Sequence, residues 1–194
     1  MNKPIELKHI YKAFGTETVL SDVNLSFEPG NCYAVTGASG SGKTTLLRII
    51  LGLEKPDSGE KTPQGLLHAG VVFQEDRLTD SLSAVGCITA AIRGMSADVA
   101  RHELACLLEP ELCDKRVSEL SGGEKRRVAV VRACSMKDSG LLVMDEPFTG
   151  MDGEAARLTA EYIMKVRDGR TLIITAHDID NLIKLGIHTC EVRV

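Results

Sequence analysis

The chain has 194 residues, a length that fits one domain, or one domain with a modest insert, and that can bury a core without disulfide bonds. The formal net charge of −4 and the aromatic content of 4% argue against a protein that binds nucleic acid. Six cysteines are scattered without a C-x-x-C pair, which argues against a zinc or redox site and favours a cytoplasmic protein with reduced thiols. We also expect no signal peptide, and no apolar run approaches the ~20 residues of a membrane span.

In chain order, the hydrophobic pattern first predicts a small antiparallel β part. Alternating residues over 5–10 and 19–30 predict two paired strands, and the second ends at a Pro-Gly turn. A third strand over 31–37 runs directly into a glycine-rich loop. A helix follows over 43–52, and residues 54–60 are predicted to form a loop.

The rest of the chain alternates buried strands and helices. We predict strands over 69–74, 141–146, 171–178 and 187–194, and helices over 96–108, 124–136 and 153–167. Continuous apolar strands alternating with helices are typical of a mainly parallel sheet that is covered on both faces. Ligands bind such sheets at the carboxyl ends of the strands, where the glycine loop, Gln74, Asp145, Glu146 and His177 all fall. We therefore expect a single active site at that edge.

The glycine-rich loop carries the most specific motif. The segment "GASGSGKT" matches G-x-x-x-x-G-K-[ST] and lies between a predicted strand and a predicted helix, a context that argues against a chance glycine turn. In this motif the backbone N–H groups surround the phosphates, Lys43 places a cation on the β- and γ-phosphates, and the Thr44 hydroxyl binds Mg²⁺. The predicted nucleotide-binding residues of the loop are Gly37, Ala38, Ser39, Gly40, Ser41, Gly42, Lys43, Thr44 and Thr45.

A buried strand, "LLVMDE", ends in two acidic residues. The strand could end in acids simply because it has reached solvent. A phosphate-binding loop, however, needs a second Mg²⁺ ligand at the end of a nearby strand, and Asp145 fits that role. Glu146 could then act as the general base that activates water toward the γ-phosphate.

Three further residues are undecided by the pattern alone. Taken alone, Gln74 is more typical of a surface polar residue, and His177 is more typical of a hydrogen-bonded polar residue that has no catalytic role. Tyr11 could pack within its strand or present a flat face to a nucleotide base.

Taken together, the motifs resemble the nucleotide-binding domain of an ABC ATPase. The resemblance rests on the order of "GASGSGKT", Gln74 in "VVFQEDRL", "LSGGE", "LLVMDEP" and His177 in "TAHD", and it covers nearly the whole chain. It implies an α/β fold of the P-loop NTPase class: a mainly parallel sheet core with an N-terminal antiparallel β part and a small helical subdomain. We expect one domain over 1–194, with the core at about 1–74 and 120–194 and the helical subdomain at about 75–135.

The same resemblance implies roles for the undecided residues. Tyr11 would stack on adenine, Gln74 would reach Mg²⁺ and the attacking water, and His177 would contact the γ-phosphate. The implied cofactors are ATP and Mg²⁺. One departure from the family is "FTGMD" (148–152), where a small residue and leucine are usual before the aspartate.

The segment "LSGGEKRR" presents a second helix start suited to an anion. In the family, Ser121, Gly122 and Gly123 of one domain cap the γ-phosphate that is held by the loop of a second domain, head to tail. ATP would then close the dimer and hydrolysis would open it. Lys125, Arg126 and Arg127 either strengthen this positive field or form a solvated basic face.

We consider three functions. The first is the ATPase subunit of a transporter, most similar to the ATPase subunits of nitrate, sulfonate and taurine importers. Such a subunit would pair as a homodimer and bind transmembrane permease subunits. It would lie at the cytoplasmic face of the cell membrane. The second is a non-transport ABC ATPase that acts as a mechanical switch on a macromolecule; such members carry a long coiled coil or tandem domains that this sequence lacks. The third, a small-molecule phosphoryl-transfer enzyme, would leave "LSGGE" and His177 unexplained.

Overall fold

A computed structural model describes residues 3–194 and contains two β-sheets and six α-helices in that range. The strands are β1 (Ile5–Phe14), β2 (Glu17–Phe27), β3 (Cys32–Thr36), β4 (Ser58–Thr62), β5 (Gly70–Val72), β6 (Leu141–Met144), β7 (Thr171–Ala176) and β8 (Cys190–Arg193). The helices are α1 (Lys43–Leu51), α2 (Ala84–Ala91), α3 (Ala97–Leu104), α4 (Gly122–Cys134), α5 (Gly153–Val166) and α6 (Ile179–Lys184).

The N-terminal sheet is antiparallel, with the strand order β2-β1-β4. The predicted pairing of the first two strands is confirmed, although β1 continues to Phe14 rather than ending at residue 10. The prediction of a loop over 54–60 was wrong at its end, because β4 begins at Ser58 and pairs with Tyr11 across the sheet. This edge strand has no apolar residue, and only its pairing with β1 makes it a strand.

The second sheet has five parallel strands in the order β5-β6-β7-β3-β8, so the predicted parallel core is confirmed. Alternate strand residues point to opposite faces and belong to separate hydrophobic clusters. Ala34 and Ile174 pack toward the cluster that includes α4 and α5. Val35 and Ile173 pack toward the cluster that includes α1 and the antiparallel sheet. Both faces of the sheet are therefore covered, which leaves its strand ends as the place for a site.

Helices α2, with eight residues, and α6, with six, were not predicted. The Ser83 hydroxyl caps α2 by accepting a hydrogen bond from the Gly86 backbone N–H. The helix expected over 124–136 starts earlier, at Gly122, because Ser121 and Glu124 form a reciprocal capping box that extends it toward its N-terminus. No helix within residues 3–194 has the length and apolar character needed to cross a bilayer.

Candidate active site

The glycine-rich loop lies between β3 and α1, as predicted, and the start of α1 faces a cleft. Gly42 precedes the helix with φ 99°, and a Cβ atom at this position would lie 2.9 Å from the Val19 carbonyl oxygen. Only glycine fits this conformation in this space. No side chain caps the start of α1, and its first turn carries no acidic residue. The free N–H groups and the positive end of the helix dipole therefore favour a bound anion here.

Lys43 is buried within the loop that it follows, with 6% of its surface exposed. Its Nζ atom donates hydrogen bonds to the Gly37 and Ala38 carbonyl oxygens, both at 2.8 Å. A buried ammonium group needs such acceptors because water cannot reach it. The cation is thus held inside the loop, beside the N–H groups that favour an anion.

A chain of hydrogen bonds joins the loop to the ends of β6 and β7. The Thr44 hydroxyl donates to Asp145 Oδ2 at 2.7 Å, and the Thr175 hydroxyl donates to Asp145 Oδ1 at 2.7 Å. Thr175 Oγ1 also accepts the Glu146 backbone N–H at 2.8 Å. The buried Asp145 carboxylate thus accepts one hydrogen bond on each of its oxygens. A hydroxyl and a carboxylate at this separation are the oxygen ligands that Mg²⁺ prefers.

Glu146 follows Asp145 in a left-handed backbone conformation, with φ 48°. Its Oε1 atom lies 3.1 Å from His177 Nε2, and its Oε2 atom accepts a hydrogen bond from the Thr149 hydroxyl at 3.4 Å. The imidazole is 60% exposed and the carboxylate side chain 23% exposed, so the pair borders solvent. The structure brings together the two residues at the ends of β6 and β7 that sequence patterns placed there.

One cleft of about 290 Å³ is lined by eight of the seventeen predicted site residues. Gln74 and Glu146 line it opposite the glycine-rich loop. The full lining is Phe14, Val19, Ser39, Gly40, Gly42, Lys43, Thr44, Thr45, Gln74 and Glu146. Of the four residues expected at the strand ends, Gln74 and Glu146 line this cleft, whereas Asp145 and His177 are not part of its lining.

The aromatic ring that lines this cleft is Phe14, not Tyr11. Phe14 ends β1 and is 50% exposed, and Lys12 Nζ lies 5.1 Å from the centroid of its ring. Tyr11 lies three residues earlier, opposite Ser58 in the antiparallel sheet, and is not part of the lining. The sequence signal that could have identified Phe14 is the turn at Gly15, which marks the end of the strand.

Residues Ser121, Gly122 and Gly123 lie outside the cleft. Ser121 accepts the Glu124 N–H at 3.4 Å while the Glu124 carboxylate accepts the Ser121 N–H at 2.8 Å. A Cβ atom at Gly123 would lie 2.7 Å from the Gly150 carbonyl oxygen, so the two backbones touch. Nothing lies within 4 Å of a Cβ atom at Gly122, which leaves this part of the helix start open.

Two residues near the site carry contacts that sequence patterns did not reveal. Thr175 lies in a buried apolar strand, where its hydroxyl was the only hint of a polar partner. Arg126 was one of three basic residues that could have formed a solvated face, but it is only 3% exposed. Its guanidinium donates to carbonyl groups that follow β5 and β6.

Comparisons with known proteins agree with this geometry. The family model described as ABC transporter matches residues 20–149. The "Nod factor export ATP-binding protein I" of Burkholderia orbicola is 36% identical over 98% of this chain and 68% of its own length. The protein of the same name from Cupriavidus metallidurans is 32% identical over 99% of this chain and 69% of its own length. This chain thus spans about two thirds of these relatives.

Solved structures show the same fold. The "Dimeric Structure of MJ0796, a Bacterial ABC Transporter Cassette" superposes with a TM-score of 0.82 and 28% identity, over 97% of this chain and 94% of the other. A "post-hydrolysis state of the ATP-binding cassette MJ0796 bound to ADP and Pi" gives a TM-score of 0.78 and 29% identity, over 91% and 89% of the two chains. The chain described here belongs to the ABC transporter family, as an ATP-binding cassette with the P-loop ABC ATPase fold and ATP hydrolase activity.

Proposed function

We propose that this cassette binds ATP with Mg²⁺ in the cleft beside the glycine-rich loop and hydrolyses it between two chains that pair head to tail. The observation that carries this proposal is the hydrogen-bonded chain Thr44–Asp145–Thr175–Glu146. It connects the hydroxyl at the start of α1 with the backbone N–H of Glu146, the residue whose carboxylate would activate water. The two Mg²⁺ ligands proposed here are thus linked by hydrogen bonds to the backbone that carries the proposed base.

The loop from Gly37 to Thr45 would hold the phosphates through its backbone N–H groups and Lys43. The ammonium of Lys43 already lies against the loop carbonyls at 2.8 Å, within reach of a phosphate bound by the same loop. A charge-assisted hydrogen bond of this kind is roughly twice as strong as a neutral one.

Thr44 and Asp145 would hold Mg²⁺, with Gln74 of the cleft lining as a further oxygen donor. Within residues 3–194 there is no group of three or more histidine, cysteine or acidic residues that could hold a metal. Few protein ligands suit Mg²⁺, which is usually held by one or two carboxylates, water and substrate phosphates. When bound, the ion neutralises charge on the β- and γ-phosphate oxygens.

Glu146 would act as the general base. Its carboxylate takes a proton from the attacking water, the water oxygen bonds to the γ-phosphorus, and ADP leaves with the electron pair of the broken P–O bond. His177, 3.1 Å from Glu146 Oε1, can orient that carboxylate and donate to a γ-phosphate oxygen. Gln74 would help to position the water.

For the nucleotide base, we propose Phe14 rather than Tyr11 as the aromatic platform. Phe14 lines the cleft with Val19 and has half of its surface exposed. Stacking on an aromatic face contributes about 1–3 kcal/mol per base. The contact of Phe14 with Lys12 supports the ring on one side.

The second helix start, at Ser121–Gly123, would complete the site of a partner chain. It lies outside the cleft of its own chain, and Gly122 is open to an approaching group. The two structural neighbours are described as dimeric, which supports this arrangement. Because only ATP carries a γ-phosphate, a site that binds this group across the interface would close with ATP and open with ADP.

The experiment that tests this function is the mass in solution of Glu146→Gln, measured by light scattering with ATP–Mg²⁺ and with ADP. The substitution removes the base but keeps the shape, so we expect a dimer with ATP only and hydrolysis slowed by roughly 10²- to 10⁴-fold. Glu111→Gln, at an exposed position in the short 3-10 helix Pro110–Leu112, is the matched control and should hydrolyse ATP at the normal rate. Normal hydrolysis by Glu146→Gln would refute the assignment of the base. A monomer with both nucleotides would refute homodimer closure by this chain alone.

We further propose that the cassette drives a transmembrane partner and that the system is of the export type. The two relatives are named as export proteins, so they do not support the expected similarity to nitrate, sulfonate and taurine importers. The partner would dock in a groove of about 640 Å³ at the helical subdomain, which is proposed at 75–135. The groove lies between the connection from α2 to α3 and the segment that follows α4. Ile92, Met95 and Val99 line this groove, beside the His68–Asp138 ion pair at 3.0 Å. An apolar groove with a polar rim fits an amphipathic helix. Reconstitution with the membrane subunits in vesicles would establish the direction of transport.

A further inference from the structure

Arg126 is the most deeply buried arginine of the described chain. It lies in the second turn of α4 and is 3% exposed, although arginine is almost never buried without partners. The groups that accept its hydrogen bonds therefore indicate what this residue does.

The acceptors belong to the two segments that follow neighbouring strands. Nη1 donates to the carbonyl oxygens of Phe73 and Gln74, the latter at 3.3 Å, and to Asp76 Oδ1 at 2.9 Å. Nη2 donates to the Asp145 carbonyl oxygen, and to that of Glu146 at 2.9 Å. Strands β5 and β6 are adjacent and parallel, so one guanidinium spans both of their carboxyl ends.

Three of these carbonyls belong to the residues proposed to act in hydrolysis: Gln74, Asp145 and Glu146. Glu146 has φ 48°, a conformation that is costly for a residue with a side chain and that persists only where neighbours hold it. Thr175 holds its N–H and Arg126 holds its carbonyl oxygen. The peptide groups on both sides of the Glu146 side chain are thereby fixed.

We propose that Arg126 is a positioning residue for hydrolysis: through its carbonyl contacts it sets the direction of the Glu146 and Gln74 side chains, and it ties both to the helix that begins at Gly122. This inference rests on the proposed function of Glu146. Consequently, a phosphate bound by Ser121–Gly123 of one chain contacts the start of α4. About one turn further along the same helix, Arg126 holds Gln74 and Glu146 of that same chain in place.

Arg132 on the same helix provides a matched comparison. It donates to the Arg77 carbonyl oxygen at 2.7 Å and to the Asp76 carbonyl oxygen at 3.0 Å. It therefore holds the segment after β5, but it does not reach the carbonyls of Asp145 or Glu146. A variant at Arg132 perturbs the packing of α4 and leaves the proposed positioning contacts in place.

The experiment compares Arg126→Lys, Arg132→Lys and Asp76→Asn with the unmutated protein and with Glu146→Gln. Lysine keeps the buried charge but cannot place two terminal nitrogens on the two strand ends. For Arg126→Lys we expect a kcat reduced at least tenfold, with the Kd for ATP changed less than threefold. Arg132→Lys and Asp76→Asn should keep kcat within threefold, since Asp76 is only a charge partner. Thermal unfolding of all four variants reports on the fold.

A kcat near normal in Arg126→Lys would overturn the inference. So would an equal loss in Asp76→Asn, because the charge pair alone would then explain the effect. A parallel loss of kcat, ATP binding and thermal stability in both arginine variants would assign Arg126 a merely structural role. If Arg126→Lys does not fold, a clearly reduced kcat in Asp76→Asn or in Arg132→Lys would still overturn the inference, because the inference requires normal kcat in both. Normal hydrolysis by Glu146→Gln, by contrast, would refute the proposed function itself.

Discussion

The Thr44 hydroxyl lies 2.7 Å from Asp145 Oδ2, although the two residues are 101 positions apart in the chain. This contact closes the space between the glycine-rich loop and the end of β6. It is made by a hydroxyl and a carboxylate that are both predicted Mg²⁺ ligands. The contact therefore places the two motifs side by side, and mutations can test each part of the proposed site.

Replacing Lys43 with alanine should abolish tight ATP binding. Among the residues of the described range that line the cleft, Lys43 is the only cation, and its Nζ atom lies 2.8 Å from the loop carbonyl oxygens. A hydrogen bond to a charged group contributes about 1.5–3 kcal/mol, so we expect the Kd for ATP to rise roughly 10- to 100-fold. Titration with a fluorescent ATP analogue measures this, and Lys165→Ala, at an exposed position on α5, is the control. Unchanged affinity in Lys43→Ala would contradict the role of the loop.

Thr175→Val should impair both the fold and hydrolysis. Valine has nearly the same shape, but it leaves Asp145 Oδ1 without its donor and the Glu146 N–H without its acceptor. An unsatisfied buried polar group costs about 1–3 kcal/mol, which corresponds to a decrease in Tm of roughly 2–12 °C for a chain of this size. Calorimetry and an ATPase assay measure the two effects. Thr18→Val, at an exposed position of β2, should change neither.

Substitutions of the two aromatic residues should separate their roles. Phe14→Ala removes the ring that lines the cleft, and we expect the Kd for ATP to rise roughly 5- to 100-fold from the loss of stacking. Binding of inorganic tripolyphosphate should not change, because this ligand has no base. Tyr11→Ala should leave both affinities unchanged. If Tyr11→Ala weakened ATP binding and Phe14→Ala did not, stacking on the base would be assigned to Tyr11.

A charge introduced into the groove beside the helical subdomain should disrupt partner binding. Met95→Asp places an unpaired carboxylate in the apolar part of the groove, away from the nucleotide cleft. We expect normal ATP hydrolysis by the isolated cassette and loss of co-purification with the membrane subunits. Leu158→Asp, at an exposed position of α5, is the matched control. Normal co-purification of Met95→Asp would place the docking surface elsewhere.

The cysteines should differ strongly in reactivity. Burial raises the pKa of the Cys134 thiol to about 12. At pH 8 this thiol therefore remains protonated, and only the thiolate formed at much higher pH would be nucleophilic. Cys106 and Cys190 are exposed. Mass spectrometry after brief alkylation of the folded protein should find label on these two and none on Cys134. Rapid labelling of Cys134 would mean that the packing of α4 against the sheet opens readily.

The nucleotide loop, the acidic strand end and the parallel core could be predicted from the sequence because each has a local signature. Glycine spacing marks a loop that must adopt positive φ angles, and an uninterrupted apolar run marks a strand covered on both faces. The strands that carry Gln74, Asp145 and His177 are of this type, and their ends therefore had to meet at one edge of the sheet.

Other features depended on which segments meet in space. The polar strand β4 exists because β1 pairs with it, and nothing in its own composition indicates a strand. Phe14 rather than Tyr11 lines the cleft because β1 extends four residues further than its alternating pattern predicted. Residues three positions apart on a strand point to opposite faces, so Tyr11, which the resemblance implied as the adenine platform, does not line the cleft.

The identities of the chemical groups were thus determined by the sequence alone, since hydroxyl, carboxylate and ammonium groups at those spacings serve few other purposes. The tertiary structure alone decided how these groups are held. Thr175 reaches Asp145 from a neighbouring strand, and Arg126 reaches Glu146 from a helix that begins more than 20 residues earlier in the chain. Such contacts join groups that are distant in sequence, and no local pattern records them, because their energy depends on burial and on the partner that the fold supplies.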